Sequence, residues 1–402
     1  MKIGIFTDSW VPNLNGVVIS IINEVQTLRD NHEFVIFAPK LKQAIPFEIE
    51  GVPIYELPSI PFPSYPGYSI AFPHPKFNKF LKKEKIDLIH CHTPFSLGYF
   101  ATLAAKVFYD LPLLSHYHTH LVEYSFNLLP FGGLFADKIT SVLEQSVWFY
   151  TRMFYRFSDV IVTPSKTLQY DLVRHGVKEP VYSLPNMISK VFLEKTKNTS
   201  EDLEFQDKIR EEYGIKSSSR IILYCGRVSH EKKLEVLFLA FSKIQNEFPD
   251  AFLLIVGDGP PLEKYRKLVT ELNIQNFAFT GFISHTKLPA VYRMGYFMAT
   301  PSDTETQGLT VLEAMSQGIP VIGVAGGGVM DYIAHEKNGL LTTPGDSDAF
   351  AASMVTLLSE PDTYKNYALA AFKTVEMYSS AGYNKLLEKA IKLTCDIFNE
   401  SQ

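Results

Sequence analysis

Two glutamates, Glu305 and Glu313, stand eight residues apart in Ser302-Asp-Thr-Glu-Thr-Gln-Gly-Leu-Thr-Val-Leu-Glu-Ala-Met315, on either side of Thr306-Gln-Gly308. The apolar run from Phe297 to Thr300 precedes them and the helix-forming run from Thr310 to Met315 follows, which predicts strand, loop and helix. Glu305 then sits in the loop at the strand's carboxyl end, and Glu313 on the first turns of the helix. Between them the amides of Gly308, Leu309 and Thr310 open the helix, where unpaired N–H groups and the dipole favour an anion. Acids that accept from hydroxyls, flanking an anion site, suit a ligand with both hydroxyls and phosphates, as in a sugar nucleotide. A bare pair of glutamates would serve equally as a helix cap and a solvated residue. The strand, glycine and apolar helix around this pair favour the site.

Other residues support the same chemistry. Tyr224-Cys-Gly-Arg-Val-Ser-His-Glu-Lys232 is a strand end followed by Arg227 and Lys232, a planar fork and a point charge five residues apart. Fixed cations of this kind stabilise charge developing on a departing diphosphate. Near the amino terminus, Asn15-Gly16 is a turn signal in a loop that also holds Asp8 and Asn13, and Gly16 lets a backbone approach a ligand. His116-Tyr-His-Thr-His120 ends another strand. Its alternating histidines could form one edge of a zinc site, but no CxxC or HExxH completes it, so no metal is expected. His92 in His90-Cys-His-Thr-Pro94 lines a cleft or packs in a turn, and Asn186 fixes a turn between domains. The triple glycine beginning at Gly326 is a weak nucleotide signal without GxGxxG.

These residues need parallel sheets to carry them. Strands alternate with longer helical patterns throughout, beginning with 2–6, 33–38, 88–90, 112–116, 160–163 and 181–184, and restarting at 220–225, 251–256, 278–280, 296–299, 321–324 and 340–342. At 402 residues the chain suits two α/β Rossmann-like domains, 1–193 and 194–380, with ligands in the cleft at the carboxyl ends of both sheets. A last helix, 381–402, either crosses back to the first domain or caps the second. The net charge is −5, with 17 Lys and Arg against 16 Asp and Glu in residues 1–193, so nucleic acid is not the expected partner. Cys91, Cys225 and Cys395 show no CxxC spacing, and a reducing cytoplasm is their natural setting. No signal peptide or membrane-spanning run is expected, so membrane contact is peripheral.

The segment from Asp303 to Gly323 resembles the signature of retaining GT-B glycosyltransferases, the family of glycogen-synthase-like and sucrose-synthase-like enzymes, and looks most like members that glucosylate diacylglycerol. The resemblance implies a GT-B fold and a UDP-sugar substrate, UDP-glucose above all, with no cofactor. It places Glu305 on donor-sugar hydroxyls, Glu313 on ribose hydroxyls, and Arg227 and Lys232 on the diphosphate. Lys233 stands where glycine is usual after that lysine. The family's YHT segment assigns His118 to the donor sugar, and its base-contacting segment corresponds to Phe282 and Ile283 after Gly281. Gly16, Gly308, Leu309 and Thr310 complete the donor set. A lipid acceptor on an anionic membrane, at the inner face, draws support from three aromatic stretches: Leu57 to Tyr68, a second holding Tyr124 and Phe126, and a third holding Trp148, Arg152 and Arg156 on one helix. A soluble sugar or glycan acceptor, a phosphorylase or epimerase on the same architecture, and a non-catalytic sugar-nucleotide-binding protein are the alternatives.

Overall fold

The computed structural model describes every residue except 13–14, 42–47, 62–68, 73–75, 119–120, 122–135, 186 and 195, and leaves out the side chains of 76, 78, 136–140 and 380. Asn13, Thr119, His120, Tyr124, Phe126 and Asn186 therefore lie outside the described residues. The chain divides into two compact units, one of residues 1–187 with 380–402 and one of residues 188–379. The division falls before the expected 193/194, because Ile188 and Phe192 are buried in the core of the second unit.

The first unit is built on eight strands: β1 (Lys2–Phe6), β2 (Glu33–Lys40), β3 (Ile54–Pro61), β4 (Ser69–Ala71), β5 (Leu88–Cys91), β6 (Leu113–His116), β7 (Val160–Thr163) and β8 (Val181–Ser183). They lie in the order β4-β3-β2-β1-β5-β6-β7-β8. All pairings are parallel except that of β3 with β4. Strands buried on both faces read as near-continuous apolar runs, and β2 divides its side chains accordingly. Val35 and Phe37 enter one core, while Phe34, Ile36 and Ala38 enter the other. The helix Ser380–Glu400 belongs to this unit and contributes Tyr383, Leu387, Ala390 and Ile391 to the second of those cores.

β3 and β4 were not expected from the sequence. Pro58 and Pro61 cannot donate to a ladder and argue against a strand, yet Leu57 to Pro61 belong to β3, with Leu57 buried and Ile60 exposed. The first part of the aromatic stretch assigned to a membrane is thus sheet.

In the second unit β9 (Arg220–Cys225), β10 (Ala251–Val256), β11 (Phe277–Gly281), β12 (Gly295–Ala299), β13 (Val321–Val324) and β14 (Gly339–Thr342) form a parallel sheet in the order β11-β10-β9-β12-β13-β14. Ile222 and Tyr224 of β9 face one core; Ile221, Leu223 and Cys225 face the other. In each unit the strand order brings together loops that are remote in sequence, because all parallel strands end on the same edge.

Candidate functional site

β9 and β12 are neighbours, so the loops leaving their carboxyl ends meet. Lys232 donates to Glu305 Oε1 at 2.6 Å across 73 residues of sequence. Arg227 is exposed and donates to Glu231 Oε1 at 2.6 Å, four residues along. Lys233 has φ +50°, a left-handed conformation that costs a non-glycine residue roughly 1–2 kcal/mol. Its Nζ donates to Asp303 Oδ2 at 2.6 Å, which opposes that cost. Adjacent lysines thus hold two acids of one loop, Asp303 and Glu305.

Beyond that loop, Gly308 caps the helix Leu309–Ser316 with φ +79° and offers it no side-chain cap. The amides of Leu309 and Thr310 lie in the first turn, which no helical carbonyl reaches. A Cβ at Gly308 would sit 2.8 Å from Val329 Cγ1. Glu313 keeps only 13 % of its side chain exposed. It accepts from the Tyr292 hydroxyl at 2.8 Å, and His285 Nε2 lies 3.9 Å away. Burial pushes its carboxyl up to about 7. After β11, Ile283 packs on the core and Phe282 stands 82 % exposed. The described arrangement combines cations, open amides and two carboxylates of different character, a set able to hold a polyhydroxylated diphosphate.

In the first unit β1, β5 and β6 are neighbours, and a second cluster forms at their carboxyl ends. Glu24 from the helix Gly16–Leu28 is fully buried and accepts from His90 Nδ1 at 2.7 Å. Its other oxygen lies 3.3 Å from His92 Nε2. His92 Nδ1 is 2.9 Å from His118 Nε2, and the His118 ring stacks on His116 with centroids 3.6 Å apart. Glu24 is held well below the usual carboxylate range: its burial acts upward, and the His90 and His92 contacts outweigh it. Burial, with the neighbouring imidazoles, lowers His92 to about 4 and His116 and His118 well below their ordinary value, so the rings are neutral at pH 7. Among the described residues, ring nitrogens of His90, His92 and His116 lie within 4.8 Å of one another, close enough to hold a metal ion. That trio differs from the 116, 118 and 120 set considered from sequence.

Asp8 and Gly16 take structural places. The buried Asp8 carboxylate accepts from Thr93 Oγ1 and Ser96 Oγ, each at 2.6 Å, and from the Leu97 amide at 2.8 Å, so it caps the helix Ser96–Leu103. Gly16 is the first residue of its helix, and no atom lies within 4 Å of a Cβ placed there. The Asn15 side chain accepts from the Val17 and Val18 amides, which occupies the end of this helix that an anion would need.

Two family descriptions match the chain, "Glycosyl transferases group 1" over residues 205–374 and "Glycosyltransferase Family 4" over residues 14–190. The solved structure of Anabaena HepE in complex with UDP and glucose superposes with a TM-score of 0.74 at 20 % identity, covering 98 % of this chain and 99 % of that one. The chain is a GT-B glycosyltransferase of group 1. It is 28 % identical over 367 residues to the alpha-monoglucosyldiacylglycerol synthase of Streptococcus pneumoniae, covering 90 % of this chain and 79 % of that protein. It is also 28 % identical over 368 residues to the sulfoquinovosyl transferase SQD2 of Arabidopsis thaliana, covering 89 % and 66 % respectively.

Sequence reasoning missed one part of this glycosyltransferase, Glu24, and gave another, the triple glycine beginning at Gly326, only as a weak signal. Glu24 reads as the one charged residue of its helix; its place at position i+3 from the buried Ile21 was the available signal. Gly327 and Gly328 bear directly on the Glu305 loop. A Cβ on either would lie 2.5 or 2.4 Å from the carbonyl oxygens of Glu305 and Thr306, and the Gly328 amide donates to Glu305 O.

The aromatic helix requires a correction. Trp148 is 4 % exposed and stacks on His175 with centroids 3.8 Å apart, and Arg152 Nη1 donates to His175 O at 2.9 Å. Both side chains are engaged with the neighbouring helix, so they do not share an outward face with Arg156. Val142, Gln145, Ser146, Phe149 and Met153 are exposed on that helix, and Arg156 is exposed directly after its last residue, Tyr155. At 100° per residue they form one stripe. Among the described residues, no helix is long and apolar enough to cross a membrane.

Proposed function

We propose that the protein is a retaining hexosyltransferase that moves glucose from UDP-glucose to a membrane lipid, diacylglycerol, at the inner membrane face. The observation that carries the donor half is the pairing of Lys232 with Glu305 beside an uncapped helix amino terminus, with Glu313, mostly shielded from solvent, further along that helix. Donor binding replaces that ion pair: Lys232 turns to the diphosphate with Arg227, and Glu305 accepts from sugar hydroxyls. The amides of Leu309 and Thr310 take phosphate oxygens, and Glu313 takes the ribose hydroxyls. Phe282 and Ile283 border the base.

As the bond from the anomeric carbon to the diphosphate oxygen breaks, its electron pair stays with that oxygen. The acceptor hydroxyl adds from the same face and its proton passes to the departing phosphate. Fixed cations and amides lower the barrier because they are aimed at charge that grows in the transition state. They supply the positive charge the leaving group needs, so no metal is assigned to it.

The acceptor half draws on the names of the two relatives above and on the exposed stripe of Val142, Phe149, Met153 and Arg156. Apolar residues beside a cation suit an anionic membrane surface. The inward placement of Trp148 and Arg152 favours the second reading, a soluble sugar or glycan acceptor. A panel of radiolabelled nucleotide sugars, each offered with diacylglycerol vesicles and with soluble sugars, tests both. Transfer from UDP-glucose to lipid is expected; transfer only to soluble acceptors would overturn the lipid reading.

A further inference from the structure

Four side chains of the first unit, each no more than 1 % exposed, leave polar atoms without a hydrogen-bond partner among the described residues. The atoms are Glu24 Oε2, His90 Nε2, His92 Nε2 and both ring nitrogens of His116. An atom that has lost water and gained no bond is costly, so a group of them in one cluster calls for a common partner. The alternating histidines from His116 onward offer only one edge of a metal site, and β5 supplies another. It pairs in parallel with β6, His90 opposite Leu114 and Cys91 opposite Ser115, and continuing that register sets His92 beside His116. Alternation then puts His90, His92 and His116 on one face of the sheet, with the His90 and His92 rings 4.1 Å apart and those of His92 and His116 5.4 Å apart.

We propose that His90, His92 and His116 bind one divalent transition-metal ion, zinc by its chemistry, with Glu24 as the outer carboxylate that orients His90. One nitrogen from each ring lies within 4.8 Å of the others, and a tetrahedral ion with bonds of about 2.0–2.1 Å holds its ligands roughly 3.4 Å apart, a closure that small side-chain torsions supply. Glu24 Oε1 accepts from His90 Nδ1 at 2.7 Å, which turns the unpartnered Nε2 to the ion, as carboxylate–histidine pairs do at metal centres. Its negative charge also offsets part of the ion's. Cys91 Sγ donates instead to Thr93 O, so the set is imidazole alone, which suits zinc and its neighbours over magnesium or calcium. The ion braces the strand end that leads to His118, whose ring stacks on His116 at 3.6 Å. No bond-making step is assigned to it, and the inference does not rest on the transfer reaction.

Uptake of the metal tests the site without turnover. Enclosed rings exchange an ion slowly, so full-length protein is stripped by prolonged dialysis against chelator and then equilibrated with zinc or cobalt(II). The wild type should bind one ion per chain, and the cobalt form should show the intense visible bands of a four-coordinate centre. X-ray absorption of the zinc form should give three imidazole nitrogens at about 2.0–2.1 Å. His90→Gln and His116→Gln should each abolish stoichiometric uptake while keeping the wild-type circular dichroism. Glu24→Gln should keep the stoichiometry and weaken affinity about ten- to a hundredfold. Absence of stoichiometric uptake by the wild type, a zinc shell with fewer than three imidazoles, or uptake unchanged in both folded histidine variants would overturn the proposal. The absorption measurement needs no variant, so it decides the question even if the substitutions disturb folding.

Discussion

Glu313 should make nucleotide affinity depend on pH in a range where few enzyme carboxylates titrate. Its carboxyl, pushed up to about 7 by burial, accepts one bond from Tyr292 and has the half-buried His285 nearby. Ribose hydroxyls donate to the ionised form, so the nucleotide binds that form and the affinity follows its population. With the midpoint near 7, the ionised fraction falls from about ten elevenths at pH 8 to about one eleventh at pH 6, a roughly tenfold weakening of Kd, or about 1.4 kcal/mol. The nucleotide's own phosphate also titrates near pH 6, so the quantity to measure is the ratio of Kd in the wild type to Kd in Glu313→Gln. Isothermal titration with UDP at pH 6, 7 and 8 should show that ratio rising about tenfold as pH falls. A ratio constant across the range would refute either the raised ionisation of Glu313 or its contact with the ribose. Stability has the matching sign. The folded carboxyl lies above its ordinary 4.5, so its contribution is greatest below pH 4.5 and is lost as pH rises towards 7. The stability gap between Glu313→Gln and the wild type should widen in favour of the variant over that window, as read by denaturant midpoints.

Glu305→Gln should cut turnover strongly and leave UDP affinity nearly unchanged, since Glu305 is assigned to the sugar; an equal loss of both would undo the division of roles between the two glutamates. Arg227→Ala and Lys232→Ala should each lower kcat on the order of a hundredfold, and excess chelator should leave wild-type activity intact. Metal-reversible loss on chelation would instead point to the His90, His92 and His116 cluster. Lys233→Gly relieves a left-handed φ but removes the bond to Asp303. Thermal unfolding should therefore move little while the KM for the donor rises, and a large drop in Tm would show that the ion pair dominates the strain. Flotation with anionic vesicles should fall in Phe149→Ser/Met153→Ser/Arg156→Glu and persist in Arg152→Lys; equal binding by wild type and the triple variant would reject the exposed stripe as the membrane contact.

The sequence by itself determined the strands whose side chains are buried on both sides, because a continuous apolar run such as Ala251–Val256 is stable only between two layers of helix. It also determined the loop and helix that carry Glu305, Gly308 and Glu313, since those residues are close along the chain and local turn and helix chemistry places them. Two prolines hid β3, whose partners β2 and β4 hold it as sheet. Helical spacing put Arg152 and Arg156 near one another, but spacing does not say which flank of a helix is covered. Packing against His175 decided that Trp148 and Arg152 turn inward. Strand order made the remaining decisions. β12 lies beside β9, which brings Glu305 to Lys232, and β5 lies between β1 and β6, which brings His92 to both Glu24 and His118. Side-chain periodicity encodes the face of an element and not its neighbour, so these contacts between residues far apart in sequence exist only once the sheets have formed.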